Sequence, residues 1–465
     1  MKSGENTGKL SFVDDPSVKF LFEDHFGLTD PIDLARLKLW PEPERIHRAF
    51  QLLSFAITQL WQKHEPPGGI QFGFEDNDRF DAHTRLFRPG LYDVVFSRGL
   101  FERSIALFRK LSLAKAFGKY SQFTPLDRES LRRLLDDPTI RELRARESGP
   151  SIDALLRIGD ARKGSSEEIR QFISRPPLDS KHQFDIQTLL IPSLLFAYWH
   201  EVGHIVQGHL IWAGGNGGPT RLSEATGLEG SVAPIDVGPS LKQRRALEYW
   251  ADDFAARRVA LEILRSANRE TEHYVLGPFW FNRENFNTFG RMEGLPEETL
   301  EFNLEGFLYR IAFALSVFLL QFEGFFEPPH QDRASVHPNA EVRLAHIIEA
   351  IADQLNGGQQ MVTLELSRMW QEQFGYAIHT LEHCLFAQGA TKTPISQDGS
   401  LLHGIFHVQE VAARAKKEAA DARAMSTLFD PYRHNEIADI LEPMRGQMLL
   451  PASARSEMMG FDVHV

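Results

Sequence analysis

The chain has almost no cysteine, and this scarcity excludes two kinds of architecture. Cys384 is the only cysteine among 465 residues, so neither an intrachain disulfide framework nor a metal centre built on several thiolates can form. We expect Cys384 to behave as a small buried hydrophobic residue. The first ten residues also lack the apolar segment of a signal peptide, and together these features predict a cytoplasmic protein.

An excess of positive charge is lacking as well. The chain carries 51 Lys and Arg against 63 Asp and Glu, which gives a formal net charge of −12. Domains that bind nucleic acids are usually basic, because they neutralise phosphates. The total does not exclude a local basic groove, but we expect no nucleic-acid partner.

Hydrophobic runs long enough to cross a bilayer are also missing. The run from Ile186 to Trp199 is interrupted by Pro192, and the run from Phe307 to Phe322 contains Arg310. Both are shorter than the ~20 apolar residues that a transmembrane helix needs. We therefore expect buried helices and no membrane span.

The pattern of breaks and apolar periodicity predicts a mainly α fold with a small antiparallel sheet. Helical spacing is prominent after residue 185, whereas Ile70–Phe74 and Leu91–Phe96 have the length and composition of strands. We divide the chain into three regions: a mostly helical N-terminal region of unknown role, a catalytic core and a C-terminal helical region, at 1–185, 186–350 and 351–465. The sequence shows neither internal repeats nor low-complexity tracts.

The most informative stretch is a His-Glu-x-x-His pentapeptide inside an apolar, helix-compatible run. It consists of His200, Glu201, Val, Gly and His204. Positions i and i+4 lie on one face of a helix, so the two imidazoles can hold one ion together. Neutral imidazoles suit Zn²⁺, and Glu201 can act as a general base toward the attacking water. The alternative is a pair of satisfied histidines on a core helix.

A catalytic zinc ion usually takes three protein ligands, so two histidines need a partner. Glu248 and Asp252 follow on a second predicted helix, again four residues apart. We predict that Glu248 is the third ligand and that Asp252 accepts the free ring N–H of a ligand histidine. The alternative is that both acids merely face water on an amphipathic helix.

These motifs resemble those of the gluzincin metallopeptidases, most closely the CAAX prenyl endopeptidase and heat-shock metalloprotease group. The resemblance rests on three elements in the same order, which are His-Glu-x-x-His at 200–204, Glu-x-x-Ala-Asp at 248–252 and His-Pro followed by Arg at 337–343. It covers roughly residues 190–350. It implies an α+β zincin-like fold with a metal-binding helix pair, a bound Zn²⁺ and peptide-bond hydrolysis.

The resemblance also implies roles for two further residues. His337 would stabilise the tetrahedral oxyanion, and Arg343 would support or orient the site. Zincins also place a substrate-aligning strand beside the metal helix, for which Ile70–Phe74 and Leu91–Phe96 are candidates. Membrane members of the group carry several spanning helices, which this chain lacks, so the match is to a soluble member.

Other histidines are competing candidates for metal binding. His209 follows the pentapeptide, but its spacing does not fit the extended motif of metzincins, and we do not expect it to be the third ligand. His379 and His383 with Glu382 form an inverted zinc motif. His403 and His407 also have helical spacing; without a further acidic partner, neither pair predicts a metal site.

The sequence therefore predicts a soluble zinc-dependent endopeptidase that acts on a cytosolic protein or peptide. Its ligands would be His200, His204 and Glu248, and Glu201 its general base. Two alternatives stay open: a zinc-stabilised binding or sensing protein that cleaves nothing, and a metal-free helical scaffold. Cleavage specificity and oligomeric state do not follow from the sequence.

Overall fold

A computed structural model gives the fold of most of the region between residues 43 and 434. The structure describes residues 43–64, 68–75, 78, 80–88, 90–112, 138, 149–150, 155, 165–175, 180–215, 221–223, 240–267, 304–323, 340–356, 361–387 and 409–434.

Helices make up most of the described residues, which confirms the predicted mainly α fold. They are α1 Pro43–His64, α2 Arg98–Ser112, α3 Ser165–Ile173, α4 Ser180–Val206, α5 His209–Gly215, α6 Leu241–Ala267, α7 Leu304–Glu323, α8 Ala340–Asn356, α9 Met361–Ala387 and α10 Gln409–Phe429. A single 3₁₀ turn, Asp430–Tyr432, follows α10 directly.

A four-stranded sheet lies in the order β1-β3-β2-β4. Its strands are β1 Gly69–Glu75, β2 Ala82–Arg88, β3 Leu91–Ser97 and β4 Arg221–Ser223. The predicted antiparallel arrangement holds for β2 with β3 and for β2 with β4, but β1 pairs parallel to β3. Strands β2 and β3 form a hairpin with Gly90 (φ 80°) in its turn, and β1 pairs with the side of β3 that faces away from β2. The sheet is therefore mixed.

Aromatic side chains join the sheet to α1 and α4, because the ring of Phe72 in β1 lies 5.0 Å from that of Phe50 and 6.0 Å from that of Tyr198. The ring of Phe50 in α1 stacks on Tyr198 of α4 at 5.1 Å, and Phe72 meets Phe96 edge-to-face at 5.0 Å. The hydroxyls of Ser54 and Tyr198 are hydrogen-bonded at 2.8 Å. The sheet thus holds one face of α4, the helix that carries the predicted zinc motif.

One hydrophobic core runs through all three regions into which the sequence was divided. It includes Phe72 from the first region, Phe196 from the second and Ile378 from the third. Packing is therefore continuous across positions 185 and 350. The proposed domain boundaries remain a prediction.

Helix α4 lies at the centre of this core. Its segment Asp185–Val206 is long and apolar enough to cross a bilayer by length and composition alone, but it is entirely buried in the fold. Pro192 interrupts the backbone hydrogen bonding, and the Ser193 hydroxyl donates to the carbonyl of Leu189 at 3.0 Å. The expectation that the chain has no membrane span remains a prediction.

Candidate metal centre

The two histidines of the zinc motif lie one above the other near the end of α4. Their ring centroids are 4.8 Å apart, and the Nε2 atoms of His200 and His204 are 3.1 Å apart. Both side chains are buried. The helix ends at Val206, and Gly208 has a φ of 71°, a left-handed conformation that favours glycine.

Helix α6 brings a carboxylate to the same point. Oε2 of Glu248 lies 3.3 Å from Nε2 of His200 and 3.7 Å from Nε2 of His204. The three buried side chains form the group in the described structure that can hold a metal ion. The structure therefore brings the three predicted ligands together in a buried group that could hold a metal ion.

The spacing of the three donor atoms fits a tetrahedral ion. Ligand atoms about 2.1 Å from Zn²⁺ at tetrahedral angles are about 3.4 Å from one another. The observed separations of 3.1, 3.3 and 3.7 Å lie on either side of that value. Two imidazoles and one carboxylate are also the donor set of catalytic rather than structural zinc sites.

A close approach of α4 and α6 makes this spacing possible. A Cβ atom at Gly203 would lie 3.2 Å from Cα of Ala251 and 3.2 Å from Cβ of Phe254. Such contacts are tighter than most real Cβ contacts, so an added Cβ atom at 203 would require its neighbours on α6 to move by a few tenths of an ångström. Gly203 in the first motif therefore leaves room for the close approach of α6, the helix that carries Glu248.

Asp252 positions the first histidine. Its Oδ1 atom lies 2.9 Å from Nδ1 of His200, on the side of the ring away from Glu248. When Nε2 binds a metal, Nδ1 carries the proton and donates it to Asp252 in a hydrogen bond. This contact fixes the tautomer and the orientation of the ring.

Arg343, on α8, holds Asp252 in turn. Its Nε atom donates to Oδ2 of Asp252 at 2.8 Å and an Nη atom donates to Oδ1 at 2.8 Å. Burial alone would raise the pKa of Asp252, but the guanidinium and the hydrogen bond from His200 outweigh it and hold that pKa well below its ordinary value of 3.8. The carboxylate therefore stays ionised.

His209 contacts the second histidine in a similar way. Its Nδ1 atom lies 2.9 Å from Nδ1 of His204, and its side chain is completely buried. Burial, followed by the neighbouring His204, lowers the pKa of His209 well below 6.5. His209 is separated from the Nε2 side of His204 by the ring itself, so it does not belong to the group of three donors.

Glu201, the predicted general base, follows His200 on α4, and its side chain is buried. His337, the predicted oxyanion-stabilising residue, lies outside the described residues, as do His403 and His407. The inverted motif lies on α9, but the side chains of His379, Glu382 and His383 are outside the described part of the structure. The roles of these residues therefore remain predictions.

Residues near position 430 contact the C-terminal end of α4, and the sequence does not predict this contact. We call Phe429–His434 the C-terminal strap. The backbone N–H of His434 donates to the carbonyl of Val206 at 2.8 Å, and the ring of Phe429 meets that of His209 at 5.2 Å. A Cβ atom at Gly208 would collide with the carbonyl of Tyr432. In the sequence, a single glycine is only a weak indication that another segment packs against it.

Comparisons of the chain with protein-family profiles, with curated proteins and with solved structures gave no significant match in any of the three. The geometry of the site and the order of its motifs are therefore the features that indicate a function.

Proposed function

We propose that the chain is a zinc-dependent endopeptidase of the gluzincin type. The observation that carries this proposal is the buried triangle of His200, His204 and Glu248, whose donor atoms are spaced as a tetrahedral ion requires. Glu201 follows His200 directly, which is where a zincin general base is found. A bound zinc ion would polarise the substrate carbonyl and acidify the attacking water.

Glu201 would carry out both proton transfers of the reaction. Glu201 accepts a proton as the water attacks the carbonyl carbon, and it then donates that proton to the amide nitrogen as the C–N bond breaks. The products are a carboxylic acid and an amine. Asp252 would hold the His200 ring through its contact with Nδ1. Arg343 would in turn hold Asp252, because the two buried charges are paired with each other.

The motif order 200–204, 248–252 and 337–343 supports assigning His337 to the oxyanion. A preorganised donor of this kind commonly contributes ~10²–10³ in kcat. We further propose a protein or peptide substrate in the cytoplasm, on the basis of composition and of the family resemblance.

A second candidate is a zinc-stabilised binding or sensing protein without activity. It is favoured by the burial of the site, since His200 and His204 are 0% and 2% exposed and Glu248 is 5% exposed. Closed sites are typical of structural zinc. Structural zinc, however, almost always has four protein ligands, whereas the group in the described residues has three.

Replacing Glu201 by glutamine tests the proposal, because the substitution keeps the shape of the side chain and removes its basicity. Wild type is expected to cleave an unstructured protein such as casein, and Glu201→Gln should lose at least ~10²-fold in kcat while retaining its zinc. Glu305→Gln, on the exposed start of α7, is the matched control and should cleave normally. Equal cleavage by wild type and Glu201→Gln would refute the assigned role.

A further inference from the structure

The Nδ1 atoms of the two histidines in the metal centre contact different kinds of side chain. Nδ1 of His200 faces the carboxylate of Asp252, whereas Nδ1 of His204 faces the imidazole of His209 at 2.9 Å. A carboxylate can only accept a hydrogen bond at this position. An imidazole can accept or donate, depending on which of its nitrogens carries the proton.

Metal binding allows one arrangement of the protons on the histidine pair. His204 has to present an unprotonated Nε2 to the metal, so its proton lies on Nδ1 and points at His209. Nδ1 of His209 must then be the acceptor, and the proton of that neutral ring lies on Nε2. With the opposite arrangement, the proton of His204 would lie on Nε2 and block the metal.

The buried environment of His209 indicates that its Nδ1 atom is the reason for a histidine at this position. The side chain is 0% exposed, and its Nε2 atom has no hydrogen-bond partner among the described residues. Leaving a buried polar atom unpaired is unfavourable, so packing alone would favour an apolar residue here. The hydrogen bond to His204 is the contact that such a residue could not make.

The surrounding fold fixes the position of this imidazole. His209 is the first residue of α5, directly after the left-handed Gly208, which reverses the chain so that residue 209 returns to His204. On its other side, the ring meets Phe429 of the C-terminal strap edge-to-face at 5.2 Å. The imidazole is thus held between a metal ligand and a residue more than 200 positions later in the chain.

We propose that His209 is a positioning residue of the metal centre, which accepts the Nδ1–H of His204 and thereby selects the metal-binding tautomer of that ligand. This inference rests on the metal centre proposed above, but not on peptide hydrolysis. Loss of an outer partner of a metal-bound histidine typically weakens metal binding by ~10–100-fold. The same loss of metal affinity is expected when His209 cannot accept a hydrogen bond.

Two substitutions of nearly equal shape separate hydrogen bonding from packing. In His209→Asn the side-chain oxygen takes the position of Nδ1 and can accept the proton, whereas in His209→Leu a methyl group takes that position. Both variants leave a similar gap beside Phe429. Zinc affinity should be measured by competition with a chelator, and geometry should be followed by the visible absorption of the Co²⁺-loaded protein.

The expected result is a zinc dissociation constant raised ~10–100-fold in His209→Leu and raised much less in His209→Asn. The Co²⁺ absorption of His209→Leu should also be altered. Equal affinity in the two variants, whether unchanged or equally weakened, would overturn the inference, because only packing would then matter. If His209→Leu does not fold, His209→Phe retains a ring against Phe429, lacks the acceptor and serves the same comparison.

Failure of this inference can be told apart from failure of the proposed function. A wild-type protein that binds neither zinc nor Co²⁺ would refute the metal centre, and this inference with it. A wild type that binds metal, beside a His209→Leu variant that binds equally well, would refute the role of His209 alone.

Discussion

Arg343 and Asp252 form a bidentate, buried ion pair next to His200 of the candidate metal centre, with both nitrogen–oxygen distances at 2.8 Å. The pair joins α8 to α6, and through Nδ1 of His200 it also joins α4. Three helices therefore meet at one carboxylate. Because that carboxylate also orients His200, a proposed metal ligand, the stability of the fold and the affinity for metal should depend on the same contact.

Removing the guanidinium of Arg343 should lower both the stability of the fold and the affinity for zinc. Arg343→Met leaves the charge of Asp252 buried without its guanidinium partner, and breaking such a pair typically costs about 3–5 kcal/mol in free energy of unfolding. Urea unfolding of the metal-free protein measures that loss, and chelator competition should show weaker zinc binding. The matched control is Arg368→Met, because Arg368 pairs with Glu372 on the exposed face of α9 and its removal should change neither quantity. Equal effects of the two substitutions would contradict the role of Arg343.

The close packing of α4 on α6 predicts that Gly203 cannot be enlarged without loss of metal affinity. Gly203→Ala should weaken zinc binding about tenfold by moving Glu248 away from the histidines, and overpacking should cost about 1–3 kcal/mol in stability. Gly375→Ala is the control, because a Cβ atom there meets nothing within 4 Å and the change should stabilise α9 by up to about 1 kcal/mol. Unchanged zinc affinity in Gly203→Ala would show that the close packing of α4 on α6 is not needed for metal binding.

His47 should make the protein sensitive to acid. Burial among the rings of Phe72 and Phe74 lowers the pKa of His47 from 6.5 to about 4. The unfolded chain then binds the proton more readily, so the stability from neutral His47 is fully present above pH 6.5 and is lost as the pH falls toward 4. The loss can reach about 3 kcal/mol.

His47→Phe keeps an aromatic ring without a titrating group and should remove that part of the pH dependence. Stability against urea, measured at several values between pH 7 and 4, should fall less steeply in the variant than in wild type. Parallel curves would show that His47 does not contribute to acid sensitivity.

The sequence alone was sufficient for the parts of the site that depend on helical periodicity. His200 with His204, and Glu248 with Asp252, are each four residues apart, so each pair shares a helix face before any tertiary structure is known. The apolar pentapeptide region also predicted the burial of α4. The mainly α class followed from the same periodicity.

Contacts between distant segments could not be read from the sequence in the same way. The spacing of His209 from the pentapeptide does not fit a metal ligand, and its contact with His204 depends on the turn at Gly208 that leads the chain into α5. Phe429 lies 220 positions after His209 and no local pattern connects them. The parallel pairing of β1 with β3 was missed because alternation of apolar residues indicates a strand but not its direction.

The sheet also restricts which of the two predicted strands could align the proposed peptide substrate. Leu91–Phe96, one of the two predicted substrate-aligning segments, falls in β3, which has β1 and β2 on its two sides. Backbone groups of a strand with two neighbours are already paired, so β3 cannot receive a peptide. Ile70–Phe74 falls in β1, which is an edge strand among the strands that the structure describes, and it stays a candidate.

The zinc content of the purified protein tests the central claim most directly. Elemental analysis of protein prepared without chelator should give about one zinc per chain in wild type, the same in Glu201→Gln and much less in Glu248→Ala. This result would establish the His200, His204 and Glu248 centre independently of any substrate. Zinc retained in Glu248→Ala would place the third ligand elsewhere, and a wild type that contains no zinc and takes up none on addition would contradict the account.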